Sequence, residues 1–197
     1  PTLTMAWVVV QGLFGKYMVT LKLYPAVVTL HLLGALVLLV LLALQRESFA
    51  ARPLALSRPL RAAAGALLAL VLVQVALGGW VSTNYAVLAC RGFPACSGSW
   101  WPAGDYAQGF SLLRDLGHTA SGELLPFDAL VAIHWVHRVA ALAVALAVLA
   151  FVWALRVDHP LFARTLVALL LAQVLTGLSN VVLQWPLVAA LLHSGGA

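Results

Sequence analysis

The chain has 197 residues, 63% of them hydrophobic and only 9% charged, with a mean hydropathy of +1.02. Soluble domains carry about 25% charged residues, so this composition excludes an ordinary soluble fold and describes an integral membrane protein. The formal charge of +5 is scattered over short loops, which reads as membrane topology and not as a nucleic-acid surface.

Six apolar segments follow one another along the chain. The first covers about residues 3–20 and carries Gln11 and Gly15. The second, about 25–45, opens at Pro25, contains His31 and closes at Gln45 and Arg46. The third, about 62–85, holds Gln74 and Gly78, and a long polar loop over about 86–128 follows it with Cys90 and Cys96. The fourth segment, about 129–155, carries His134, His137 and Arg138; the fifth, about 162–183, carries Gln173 and Gly177; the sixth begins at Pro186 and includes His193. These lengths suit membrane helices and not the alternating strands of a barrel, which need only about ten residues. The fold expected is all-α, a polytopic helical bundle with six transmembrane segments.

Basic residues set its orientation. Arg46, Arg52, Arg58 and Arg61 fill the 46–61 loop, and Arg156 and Arg164 flank the next short connection, which places both on the cytoplasmic side. The 86–128 loop mixes Arg91 and Arg114 with Asp105, Asp115, Glu123 and Asp128 and falls outside. Lys16 and Lys22 in the turn at 16–24 run against the rule, but alternation of the spans still puts that turn outside. The chain opens on Pro1 and stops about 12 residues after Pro186, a helix of roughly 18 Å where spanning needs about 30 Å. A piece of a longer protein is expected.

The segments are related to one another. Gln11, Gly15, Val19 and His31 recur as Gln173, Gly177, Val181 and His193 at a constant offset of 162 positions, which also aligns Leu13 with Leu175, Leu30 with Leu192 and Gly34 with Gly196. The Gln-x3-Gly step appears again at Gln74 and Gly78. Alone it is ordinary membrane packing, a small residue for close approach beside an amide for an interhelical hydrogen bond. With a histidine at equal spacing it indicates internal duplication. Segments one and two then correspond to five and six, and segments three to six form one complete four-helix unit. The organisation expected is 1–45 as half of an N-terminal unit, 46–61 as a cytoplasmic linker, and 62–197 as a C-terminal unit with its cap loop at 86–128.

An ionisable side chain in a membrane span is costly and usually functional, and neutral imidazole is a good axial ligand for haem iron. His137 and His193 stand at similar depths from one end of the bundle, so the pair is read as clamping a haem iron, against the alternative of plain interhelical hydrogen bonds. Arg138 is read as the partner of a haem propionate. His134, one turn earlier, is read as a rim residue and the rival ligand. His31 sits six residues past Pro25 without an evident mate, and His118 and His159 are read as solvated. Cys90 and Cys96, in an exported loop, are expected to form a disulfide that orders a lid or exchanges with a thiol protein.

The stretch from Gln74 to Cys90 (QVALGGWVSTNYAVLAC), followed by Phe93-Pro94-Ala95-Cys96 and Trp100-Trp101-Pro102, resembles the second half of the haem A synthase family. Val136-His137-Arg138 is similar to that family's His-Arg motif, and Gln11-Gly12-x2-Gly15 through Thr29-Leu30-His31-Leu32 to its third and fourth helices. The resemblance implies eight helices in two pseudosymmetric four-helix halves, of which this chain holds helices three to eight. It implies haem b as cofactor on His137 and His193, and haem O as substrate near His31, with a ring methyl oxidised to a formyl. Haem O, the haem O synthase and the lipid bilayer are the partners implied; the electron donor is unspecified, and an oligomer is compatible. The setting implied is the bacterial inner membrane, with the cysteine loop on the outer face. Without the first two helices the chain alone is expected to be inactive. The competing reading is a membrane b-type cytochrome that only transfers electrons; a quinone-linked disulfide-generating enzyme would want a Cys-x-x-Cys motif, and a structural subunit leaves the repeated polar residues unexplained.

Overall fold

Uniformly apolar stretches punctuated by proline dictate where the helices begin. The computed structural model, which describes residues 2–50 and 55–196, places α1 at Thr2–Thr20, α2 at Pro25–Ala50, α3 at Arg58–Thr83, a short α4 at Tyr106–Gly109, α5 at Phe127–Leu155, α6 at Pro160–Val182 and α7 at Leu187–Gly195. Pro25 and Pro160 open α2 and α6, where a fixed φ helps and a missing N–H costs nothing. A 3-10 turn, Ala86–Leu88, follows α3, and among the described residues no strand forms.

The helix bounds depart from the sequence expectation at the 46–61 loop. There α2 continues past Gln45 to Ala50, and α3 starts at Arg58, with Pro59 in its first turn. Arg46, Glu47 and Arg61 are good helix formers, so charge alone does not stop these helices. Arg52 lies outside the described residues. Of the six spans expected, four are long and apolar enough to cross a membrane: Pro25–Phe49, Arg58–Thr83, Phe127–Leu155 and Pro160–Val182. Thr2–Thr20 is helical but is not among them, and Leu187–Gly195 has nine residues, far below the about 20 needed.

Packing follows chain order: α1 on α2, α2 on α3, α3 on α5, α5 on α6 and α6 on α7. The helix faces turned away from neighbours are apolar (Leu39, Leu44, Leu142, Leu146, Trp153), as lipid-facing surfaces are. One end is closed by Phe151, Leu155 and Ala163 with Leu56, Leu60 and Leu67 around them. At the other end the cap loop packs on α3 and α5 through Trp80, Val81, Ala86 and Ile133. Trp80 Nε1 donates to the Gly109 carbonyl oxygen at 2.8 Å, and a Cβ on Gly109 would stand 2.8 Å from the Ala129 carbonyl oxygen, so only glycine lets α4 lie this close to α5.

Two turns are built alike. Between α1 and α2, Lys22 and Leu23 take left-handed φ of 49° and 61°; between α6 and α7, Gln184 and Trp185 take 55° and 64°. Left-handed backbone is unfavourable for residues with a Cβ, so successive pairs of this kind are uncommon. Leu23 N–H reaches the Met18 carbonyl oxygen at 2.9 Å and Trp185 N–H the Asn180 carbonyl oxygen at 2.8 Å. Both turns are followed by a proline, and the left-handed pairs and their carbonyl partners share the 162-residue offset of the sequence repeat, while the prolines stand 161 positions apart.

Candidate functional site

In each of three packed helix pairs a glycine backs an imidazole. A Cβ built on Gly15 of α1 would lie 3.6 Å from His31 Cε1; on Gly78 of α3, 3.1 Å from His137 Cε1; on Gly177 of α6, 2.8 Å from His193 Cε1. The glutamines one turn earlier reciprocate. A Cβ on Gly196 would stand 2.6 Å from Gln173 Nε2, and one on Gly34 would overlap the Gln11 amide. The small residue of each Gln-x3-Gly step is therefore the floor of a histidine seat.

The imidazoles differ in their partners. At His193, Nδ1 lies 3.2 Å from Thr176 Oγ1, whose own proton goes to the Ala172 carbonyl oxygen at 2.7 Å. The hydroxyl can then only accept from the ring, which puts the proton on Nδ1 and leaves the lone pair on Nε2. At His137, Nδ1 lies 3.1 Å from the Gln74 side-chain amide, which also contacts the His137 carbonyl oxygen at 3.3 Å. Here too Nδ1 is the engaged nitrogen. His31 Nδ1 is buried and finds no partner among the described residues. The helices that carry His137 and His193, α5 and α7, do not pack directly on one another.

His134 is not a rim residue: it is buried at 4% exposure. Arg138 Nε donates to its Nε2 at 3.2 Å, and the Cys90 N–H approaches its Nδ1 at 3.4 Å, so protein donors face both nitrogens. The helix turn that holds His134 is pressed under the cap, which a sequence reading of depth along a single helix does not reveal.

Arg138 binds the cap. Nη1 donates to the carbonyl oxygens of Gly92 at 2.8 Å and Ala95 at 3.4 Å, and Nη2 to that of Cys90 at 2.6 Å. The guanidinium read from sequence as a propionate partner thus organises the cysteine loop. Cys90 and Cys96 are disulfide-paired, with Cα atoms 4.7 Å apart, and are packed with Ala89, Val131 and Trp135. His118 is exposed and His159 half-buried at the start of α6.

Sequence reasoning missed Thr176 and the cluster around Arg114. Thr176 had a readable signal, since it lies one residue before Gly177 on the same helix. Arg114 had none: it is 2% exposed, its Nη2 donates to Asn84 Oδ1 at 2.6 Å, and it lies 5.5 Å from the Trp80 ring, all contacts distant in sequence. Burial lowers its pKa from the ordinary arginine value, and Tyr24 acts in the opposite direction.

Long apolar helices that seat imidazoles on glycines, under a disulfide-paired cap, define a multi-pass membrane protein. The chain belongs to the COX15-CtaA family, cytochrome oxidase assembly protein, which it matches over residues 1–197. It is 36% identical over 203 residues to the heme A synthase of Shewanella oneidensis, across 100% of this chain and 62% of that relative, so it spans under two thirds of the relative's length. No solved structure matches it. The family resemblance read from the cysteine-loop motif is borne out.

Proposed function

We propose that this chain is the part of a haem A synthase that holds a haem b between His137 and His193 and contributes His31 to the site of the substrate, haem O. The observation that carries the reading is the state of the nitrogens. His193 has its Nδ1 proton fixed by Thr176, His137 has Nδ1 engaged by Gln74, and both present Nε2 as the free nitrogen; His134 presents none. As placed, the Gln74 Nε2 donates to His137 Nδ1 and to the His137 carbonyl oxygen, so ligation through the ring Nε2 needs the amide turned until Oε1 accepts from Nδ1–H, at the loss of the bond to the carbonyl. Such partners of a ligand orient the ring and raise its basicity.

A haem bound there supplies one-electron chemistry for the oxidation of a haem O methyl group to a formyl. The protein's share is positional. Gly78 and Gly177 let the rings lie against the neighbouring helices. His31 repeats the His193 seat at the 162-residue offset, but Phe14 stands where α6 has Thr176, and its Nδ1 has no partner among the described residues. A less oriented ligand suits a site that must release its product.

The duplicated turns and seats support reading α1–α2 as half of one four-helix unit and residues 62–197 as a second, with six spans in the whole segment. The charge pattern supports an orientation with the cap outside, and the haem A synthase reading carries with it a bacterial inner membrane and the haem O synthase as the source of substrate. Arg138 meets a haem propionate in this reading only while it also holds the cap.

The test is a reduced-minus-oxidised visible spectrum of the purified chain beside His137→Ala, His193→Ala and His134→Ala. A b-type spectrum lost in the first two and kept in the third is expected. A folded wild-type chain without haem, or a spectrum lost only in His134→Ala, overturns the assignment.

A further inference from the structure

Arg114 is a buried cation without an opposite charge. Its hydrogen bonds go to Asn84 Oδ1 at 2.6 Å and, at 3.5 Å, to the His118 carbonyl oxygen; its Nε is buried with no partner, and no carboxylate pairs with it among the described residues. A charge taken out of water is expensive unless an opposite charge or further hydrogen bonds meet it. Arg114 lies on a cavity of about 500 Å³ lined also by Tyr24, Asp115, His118 and Thr119. Asp115 is exposed, and solvent screens it, whereas the guanidinium is only 2% exposed.

The place of this cavity is informative. Tyr24 immediately precedes α2, and Asn84 and Trp80 stand at the end of α3, so the cavity lies where the α1–α2 pair meets the cap. Thr29 and Thr83, with oxygens 3.3 Å apart, and Leu32, against Gly79, fasten α2 to α3 below it. His31 is seven residues past Tyr24, about 10 Å along the helix axis.

We infer that Arg114, with Tyr24 and the His118 rim, forms a carboxylate-binding site. A guanidinium matches a carboxylate with paired N–H donors, and the unpartnered Nε supplies one of them. Resting on the haem reading above, the carboxylate is a propionate of the haem served by His31, which this site anchors and orients; a free anion is the other source of the same chemistry.

Side-chain NMR of the full chain, labelled with ¹⁵N-arginine in detergent, tests the site without haem. Arg114→Lys identifies the Arg114 Nε–H signal, and titrations use sodium propanoate and inorganic phosphate. A saturable shift of that signal with propanoate, at least threefold weaker in Tyr24→Phe, is expected. No shift with either anion, or one shared by all arginines, overturns the site. A spectral titration then compares haem with haem dimethyl ester. Discrimination of at least tenfold in the wild type, lost in Arg114→Gln, identifies the propionate. Equal uptake of both beside a positive anion titration keeps the site and overturns its haem role. Failure of the haem reading itself shows separately, as no uptake of either haem.

Discussion

Gly15, Gly78 and Gly177 do the same job at three different clearances, which makes them a graded probe. An added methyl meets ordinary contact at Gly15 and a crowded ring at Gly78 and Gly177, 3.1 Å and 2.8 Å from Cε1. The overlap moves the imidazole, because the glycine sits in a helix with no room to retreat. Haem content of the purified chain is therefore expected to fall most in Gly177→Ala, less in Gly78→Ala, and not in Gly15→Ala. Equal losses in all three would show that the glycines matter for packing alone. Thr176 sharpens the same question. Thr176→Val removes the acceptor for His193 Nδ1–H at nearly constant shape and is expected to weaken haem retention about 10- to 100-fold, with Thr176→Ser restoring it. Unchanged spectra and affinity in Thr176→Val would detach the threonine from the ligand. These seats were half legible in the sequence: Gln, Gly and His announce themselves by a helical period and an offset, whereas the proton inventory that separates His137 from His134 depends on which side chains arrive from other elements.

The first half of α5 carries two loads at once, the His137 seat and the cap. Arg138 ties three carbonyl oxygens of the cysteine loop to α5, and the disulfide closes that loop covalently. Closing so short a loop stabilises by about 2 kcal/mol on the chain-entropy view. Hydrogen bonds from a charged donor contribute about 1.5–3 kcal/mol each where solvent is largely excluded, which fits the part-buried bonds to Cys90 and Ala95 better than the exposed one to Gly92. Arg138→Gln is thus expected to destabilise the chain by at least as much as Cys90→Ser with Cys96→Ser, measured by thermal unfolding in detergent. The two changes should also couple, since Arg138 grips the loop in the shape the disulfide gives it; strictly additive losses would mean that each acts alone. Element ends were the poorest reading from sequence, as α2 and α3 show. Arginine and glutamate propagate a helix as readily as leucine does, so a change from apolar to charged marks where the membrane ends and not where the helix does.

At the scale of the molecule, the class of the protein followed from composition and the family from one loop motif, but the arrangement of helix pairs did not. Chain-order packing leaves the histidine helices α5 and α7 unpaired with each other, which matched depths along single helices do not reveal. The orientation of the whole rests on charge asymmetry. Arg156 covers the Trp153 ring at 3.2 Å beside the 156–159 turn, a basic and aromatic pairing typical of a membrane boundary, while the cap carries four acids against two arginines. Single cysteines at Leu124, 80% exposed in the cap, and at Val157, 78% exposed in the opposite turn, report which side each occupies, because Cys90 and Cys96 are paired and do not react. An impermeant maleimide applied to intact cells, with the outer membrane opened where there is one, is expected to label Leu124→Cys and to reach Val157→Cys only after the inner membrane is breached. The reverse pattern would place the cap inside. The propionate anchor, the haem pair and the lid would then all face the compartment where a disulfide is least stable, and the proposed topology would fall with them.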